Sequence, residues 1–131
     1  MSKQNFQPSP LEWEVMNTIW DVSAKSPHGT SVREVMDAAY PKGERAYTTV
    51  QTVMNSLTAK GFLKREKIGL VGFYKPLRKR DDTVKKEVKT FAGKVFGGSL
   101  TELANYLVSS DTLSREEIMS LKKLIDQKAK K

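Results

Sequence analysis

The chain predicts a mainly α-helical fold carrying one small antiparallel β hairpin, and three observations lead there. Residues 46–75 read as an amphipathic helix that runs directly into a basic hairpin. Elsewhere, helix starts are written as capping boxes, a hydroxyl followed three positions later by a carboxylate, each satisfying one of the orphan amides of a first turn. After residue 80 the apolar residues recur only at helical spacing.

The first capping box is Ser9-Pro10-Leu11-Glu12, and Pro10 strengthens it because its missing donor would be unpaired at a first helical position. This helix should run to about Val22 and bury a stripe of Leu11, Val15 and Ile19, with Trp13, Met16 and Trp20 on a broader arc. A turn-rich loop from Ser23 to Gly29 follows, and Thr30 supplies a short strand. Ser31-Val32-Arg33-Glu34 opens the second helix, with Val32, Val35, Met36 and Ala39 spaced for the core, and Pro41 stops it.

In the third helix, Val50, Val53, Met54 and Leu57 cluster on one side at ~100° per residue. Thr48, Thr52, Asn55 and Ala59 point the opposite way, with Thr49, Gln51 and Ser56 at the flanks. A solvated face usually carries Lys, Glu and Arg; this one has none before Lys60. Short donors and acceptors without acidic charge suit a major groove, so Thr48, Thr49, Gln51, Thr52 and Asn55 are the base-reading candidates. Gly61 ends the helix in the left-handed conformation. The first strand then places Leu63, Arg65 and Lys67 on one face and Lys64, Glu66 and Ile68 on the other. Gly69 and Gly72 bracket a tip of Leu70 and Val71, and Phe73, Tyr74 and Lys75 return as the second strand, closed by Pro76. Arg45, Lys60, Lys64, Arg65 and Lys67 are candidate phosphate contacts. Tyr47 either bonds a phosphate through its hydroxyl or packs. Helix, short strand, helix, helix, strand, strand is the order of a winged helix-turn-helix.

Residues 78–82 form a charged junction, which divides the chain into a winged-helix DNA-binding domain, 1–80, and a three-helix domain, 81–131. Asp82 or Thr83 caps a fourth helix with Val84, Val88, Phe91, Ala92 and Val95 on one stripe, and Gly97-Gly98 breaks it. A fifth helix aligns Leu100, Leu103, Ala104, Leu107 and Val108. Ser114-Arg115-Glu116-Glu117 then caps a sixth, lined by Ile118, Leu121, Leu124 and Ile125, before a polar tail frays. Three helices of this length rarely build a sufficient core alone. Their stripes are expected to form a homodimer interface, the alternative being that they fold back onto the winged domain.

The formal charge of +8 is uneven: residues 1–80 hold 13 Lys and Arg against 7 Asp and Glu, while residues 81–131 hold 10 against 8. A basic surface attracts a phosphate backbone, and also RNA or an anionic membrane. There is no Cys, so disulfides and thiolate metal sites are excluded. The single His28 sits in a turn without neighbouring ligands, and no phosphate-binding glycine loop occurs, so neither an enzyme nor a cofactor is expected. Met1 to Pro8 is polar and too short for a signal peptide, and no apolar run approaches the ~20 residues that span a bilayer, so a cytoplasmic location is expected.

The chain resembles the penicillinase-repressor family of bacterial winged-helix regulators, which includes methicillin-resistance repressors and copper-responsive relatives. The carriers are Leu11-Glu12-Trp13-Glu14-Val15-Met16 with Ile19-Trp20, Ala46 to Thr52, Leu57, Lys60-Gly61, Tyr74 and Leu77. The resemblance implies a homodimeric repressor that occupies a palindromic operator, with Thr48, Thr49, Gln51 and Thr52 where relatives contact DNA. Some relatives carry Lys or Arg at Thr48 and Gln51, which leaves the operator sequence open. Without Cys, the copper-thiolate switch of some relatives is excluded. In others a membrane sensor protease triggers cleavage at an Asn-aromatic bond. Asn105-Tyr106 offers such a bond, one residue from the ungapped match at Tyr106-Leu107; the alternative is an incidental dipeptide. A rival from another class is a winged-helix protein-interaction module in a larger assembly.

Overall fold

The computed structural model describes residues 7–130. Residues 1–6, most of the polar leader read above as no signal peptide, and Lys131, the end of the fraying tail, lie outside the described residues. The elements are α1 (Pro10–Ser23), α2 (Val32–Ala39), α3 (Tyr47–Ala59), β1 (Leu63–Ile68), β2 (Val71–Pro76), α4 (Arg80–Val95), α5 (Leu100–Ser109) and α6 (Arg115–Ala129). This is a winged helix followed by a helical segment.

All three capping boxes form, at Ser9/Glu12, Ser31/Glu34 and Ser114/Glu117. Helix α3 closes as a Schellman motif: Phe62 N–H donates to Leu57 O at 2.9 Å and Gly61 N–H to Thr58 O at 3.1 Å. Gly61 has φ +86°, a conformation that costs a residue with a Cβ. Strands β1 and β2 pair antiparallel with Arg65 opposite Tyr74 and Ile68 opposite Val71. The tip is therefore the two residues Gly69 and Leu70, and Val71, read above as part of the tip, belongs to the strand. Thr30 forms the short third strand, exchanging both backbone hydrogen bonds with Tyr74 at 2.8 and 2.9 Å. Gly29 before it is obligatory, since a Cβ there would meet Tyr74 O at 3.0 Å and its φ is +103°.

One core joins these elements. Val15, Met16 and Ile19 of α1, Val32 and Val35 of α2, and Val50, Met54 and Leu57 of α3 pack with Phe62, Leu63 and Tyr74 from the hairpin, while Leu11, Trp20, Met36, Ala39 and Val53 flank it half-buried. Trp20 meets its polar need by donating to Arg78 O at 3.0 Å.

The chain divides into units Met1–Val84 and Lys85–Lys131. The cap of the fourth helix expected at Asp82 or Thr83 is not found there. Helix α4 starts at Arg80, Asp81 and Asp82 complement the positive end of its dipole, and Thr83 donates back to Lys79 O at 3.1 Å. In the second unit neither α5 nor α6 buries a residue. Phe91, Phe96 and Tyr106 form a chain of ring contacts with centroids 6.1 and 6.0 Å apart. Val88, Phe91, Val95, Leu100, Leu124 and Ile125 are exposed, and Leu103, Leu107, Ile118 and Leu121 are half-buried. Asn105 and Tyr106 are exposed within α5.

Candidate nucleic-acid interface

The face of α3 opposite the core is open. Thr48, Thr49, Thr52, Asn55 and Ala59 are exposed, and Gln51 and Ser56 are half-buried at its flanks. The helix has no acidic residue in its first turn, and its N-cap is Ala46, without a side-chain hydrogen bond. In contrast to the capping boxes of α1, α2 and α6, the first-turn amides of α3 are not occupied by a side-chain cap, the arrangement that receives anions.

Two sequence candidates have partners inside the protein. Asn55, itself exposed, accepts at Oδ1 from the buried Tyr74 hydroxyl at 2.7 Å, which ties α3 to β2 and does not use the amide's donors. Lys60, expected on a phosphate, is instead engaged internally: Nζ lies 2.9 Å from Glu12 Oε1. Glu12 is buried, and the same carboxylate also accepts from Ser9 N–H at 2.7 Å and Ser56 Oγ at 2.9 Å. Burial pushes this carboxyl up. The hydrogen bonds from Lys60, Ser9 and Ser56, with the Lys60 charge, outweigh that and hold it below its ordinary value of 4.5. In the sequence Glu12 is legible only as a capping residue.

In the hairpin, alternation puts Leu63, Arg65 and Tyr74 on the face turned to the core and α3. Lys64 is on the other face, where Glu66 lies 4.0 Å from Lys64 Nζ and 3.7 Å from Lys75 Nζ. Arg65 rests over the Tyr74 ring at 5.9 Å, and Lys67 and Arg45 are exposed. Tyr47, at the start of α3, is exposed with the Arg33 guanidinium 5.8 Å above its ring. Arg33 escaped sequence reasoning because nothing local brings the start of α2 beside the hairpin. His28 packs edge-on against Phe73, with centroids 4.8 Å apart. Near the base of α2, Tyr40 donates to Glu14 Oε1 at 2.8 Å, and burial, then this carboxylate, push its pKa up to about 12.

An open, neutral, hydroxyl-rich helix face beside a basic hairpin defines a DNA-binding winged-helix protein as the class. The penicillinase repressor model matches residues 8–127. The chain is 29% identical over 131 residues to a penicillinase repressor of Staphylococcus aureus, covering all of both chains. It is 28% identical over 128 residues to the methicillin resistance regulatory protein MecI of Mammaliicoccus sciuri, 98% of this chain and 100% of the relative. With a penicillinase repressor of Bacillus licheniformis it shares 28% over 121 residues, 92% of this chain and 91% of that one. The chain belongs to the penicillinase repressor family, a family of transcriptional repressors. Among the described residues no helix is long and apolar enough to cross a membrane.

Proposed function

We propose that the protein represses transcription in the cytoplasm as a homodimer on a palindromic operator, occupying a promoter with α3 in the major groove of each half-site. The observation that carries this is the exposed face of α3, whose side chains from Thr48 to Asn55 are neutral donors and acceptors. Thr48, Thr49, Gln51 and Thr52 read base edges, Asn55 adds its amide donors, and Arg45, Arg65 and Lys67 hold phosphates. The apolar residues left exposed on α4, α5 and α6 support pairing with a second copy, because an isologous interface buries each stripe once and brings two half-site readers onto one duplex. Cleavage at Asn105-Tyr106 by an upstream sensor protease would break this interface in α5; a protease needs extended backbone, so that step requires α5 to unwind locally. Selecting the duplex fragments that the protein retains, then footprinting them, tests the reading: two protected half-sites about one helical turn apart are expected. A stable complex with another protein and no salt-sensitive duplex affinity would favour an interaction module instead.

A further inference from the structure

Of the polar side chains on the open face of α3, one has its hydrogen-bonding role already committed. Among the described residues no hydrogen bond engages the hydroxyls of Thr48, Thr49 and Thr52 or the amide of Gln51, so each can still donate or accept. Asn55 differs: its Oδ1 accepts from the Tyr74 hydroxyl at 2.7 Å, while its amide nitrogen has no partner among the described residues. The two ends of that bond are held unequally. Tyr74 is 1% exposed, its backbone exchanges both hydrogen bonds with Thr30, and it pairs with Arg65 across the hairpin. Asn55 is exposed. The phenol is therefore the fixed point, and the amide is what it orients. A buried hydroxyl hydrogen needs an acceptor, and a carboxamide nitrogen is none, so Oδ1 is the end that meets the ring hydroxyl.

We propose that Tyr74 is a positioning residue that makes Asn55 a donor-only reader, and so directs it to guanine rather than adenine. The proposal rests on α3 lying in a major groove. An amide pairs with adenine by accepting from the N6 amine while donating to N7, a use that needs its oxygen. Guanine presents two acceptors, N7 and O6, to which the amide nitrogen donates with the oxygen left where it is. Turning Oδ1 to adenine would strand the Tyr74 O–H in the core, at a cost of about tenfold in affinity. An amide oxygen can also accept twice, and adenine read beside an intact Tyr74 bond is the competing outcome.

The test uses the full chain, a duplex that it retains, and a panel of that duplex with each base pair substituted singly. Asn55→Ala identifies the base pair that Asn55 reads, as the position where discrimination disappears. Guanine is expected there, with adenine about tenfold weaker in the wild type. Tyr74→Phe frees Oδ1, so the adenine penalty should shrink to about twofold or less at that pair alone. A hydroxyl that only braced the fold would weaken every duplex by one common factor and leave the ranking intact, which would overturn the proposal. Should Tyr74→Phe lose its fold in circular dichroism, Asn55→Asp decides. It keeps an acceptor for the hydroxyl but has no donor, so preference at that pair should move from guanine to cytosine, whose N4 amine donates. A guanine preference that survives in Asn55→Asp, any other base preferred at that pair by the wild type, or an Asn55→Ala ranking identical to the wild type also overturns the proposal and leaves the repressor reading standing. A wild type that binds no duplex removes both.

Discussion

Replacing Glu12 with Ala should unfold the winged unit more readily than any capping defect would. A lost cap alone costs about 1 kcal/mol. The Glu12 carboxylate does more, since it accepts from Ser9 N–H, Ser56 Oγ and Lys60 Nζ at 2.7 to 2.9 Å. The bonds from Ser9 and Ser56 contribute about 1 kcal/mol each, and the one between two charges about 1.5 kcal/mol, the low end because the Lys60 side chain is 26% exposed and can turn to water. The expected loss is about 3.5 kcal/mol, a large part of the stability of a domain this size. At roughly 4 °C or more per kcal/mol, Tm should fall by about 14 °C or more. Circular dichroism melts of the full chain, followed in the far ultraviolet for helix loss, provide the measurement. The companion variant Lys60→Met should cost less, and it should leave the salt dependence of duplex binding unchanged because the Lys60 charge is neutralised within the protein. A loss under about 1 kcal/mol for Glu12→Ala would reduce the carboxylate to a cap. A slope reduced by ~0.9 in Lys60→Met would put that ammonium on a phosphate after all.

The pH dependence has a definite sign. The folded Glu12 pKa lies below 4.5, so its stabilisation is complete above that value and lost as pH falls beneath it, a loss that Glu12→Gln melts should not show. Tyr40 is raised from 10.0 to about 12, so its contribution is complete below pH 10 and disappears as pH climbs toward 12; Tyr40→Phe should flatten that alkaline limb of the melting curve. Gln51→Ala should cost ~1–3 kcal/mol on a retained operator and flatten preference at one base pair, whereas an unchanged ranking of mutated operators would take Gln51 off the reading list. Arg65→Ala should weaken all duplexes similarly and lower the salt slope by ~0.9; a slope that stays put means that it holds no phosphate. Leu124→Asp with Ile125→Asp, at side chains 59% and 62% exposed in the single chain, should leave the fold intact yet yield monomers in sedimentation, with palindrome affinity down by ~10² or more. Persisting dimers would place the interface elsewhere.

Local chemistry by itself determined most of the elements. Capping pairs at Ser9/Glu12, Ser31/Glu34 and Ser114/Glu117, the left-handed stop at Gly61 and the apolar stripe of α3 act within one or two turns, so neighbouring residues suffice to specify them. The open face of α3 follows from the same periodicity, because a side opposite a buried stripe has only solvent or a ligand to meet. What depends on residues far apart in the chain was decided by tertiary packing. Glu12 and Lys60 are 48 positions apart, Asn55 and Tyr74 are 19 apart, and only folding α1 and β2 against α3 brings them together. That packing paired Lys60 with Glu12, tied Asn55 to the hairpin and set Arg33 along one cleft with Arg65. The start of α4 also moved, since a run of mixed charge reads as a junction until the acids are seen to sit in a first turn that favours them. Side-chain partners across a core are chosen by the shape of the core, which no local pattern encodes.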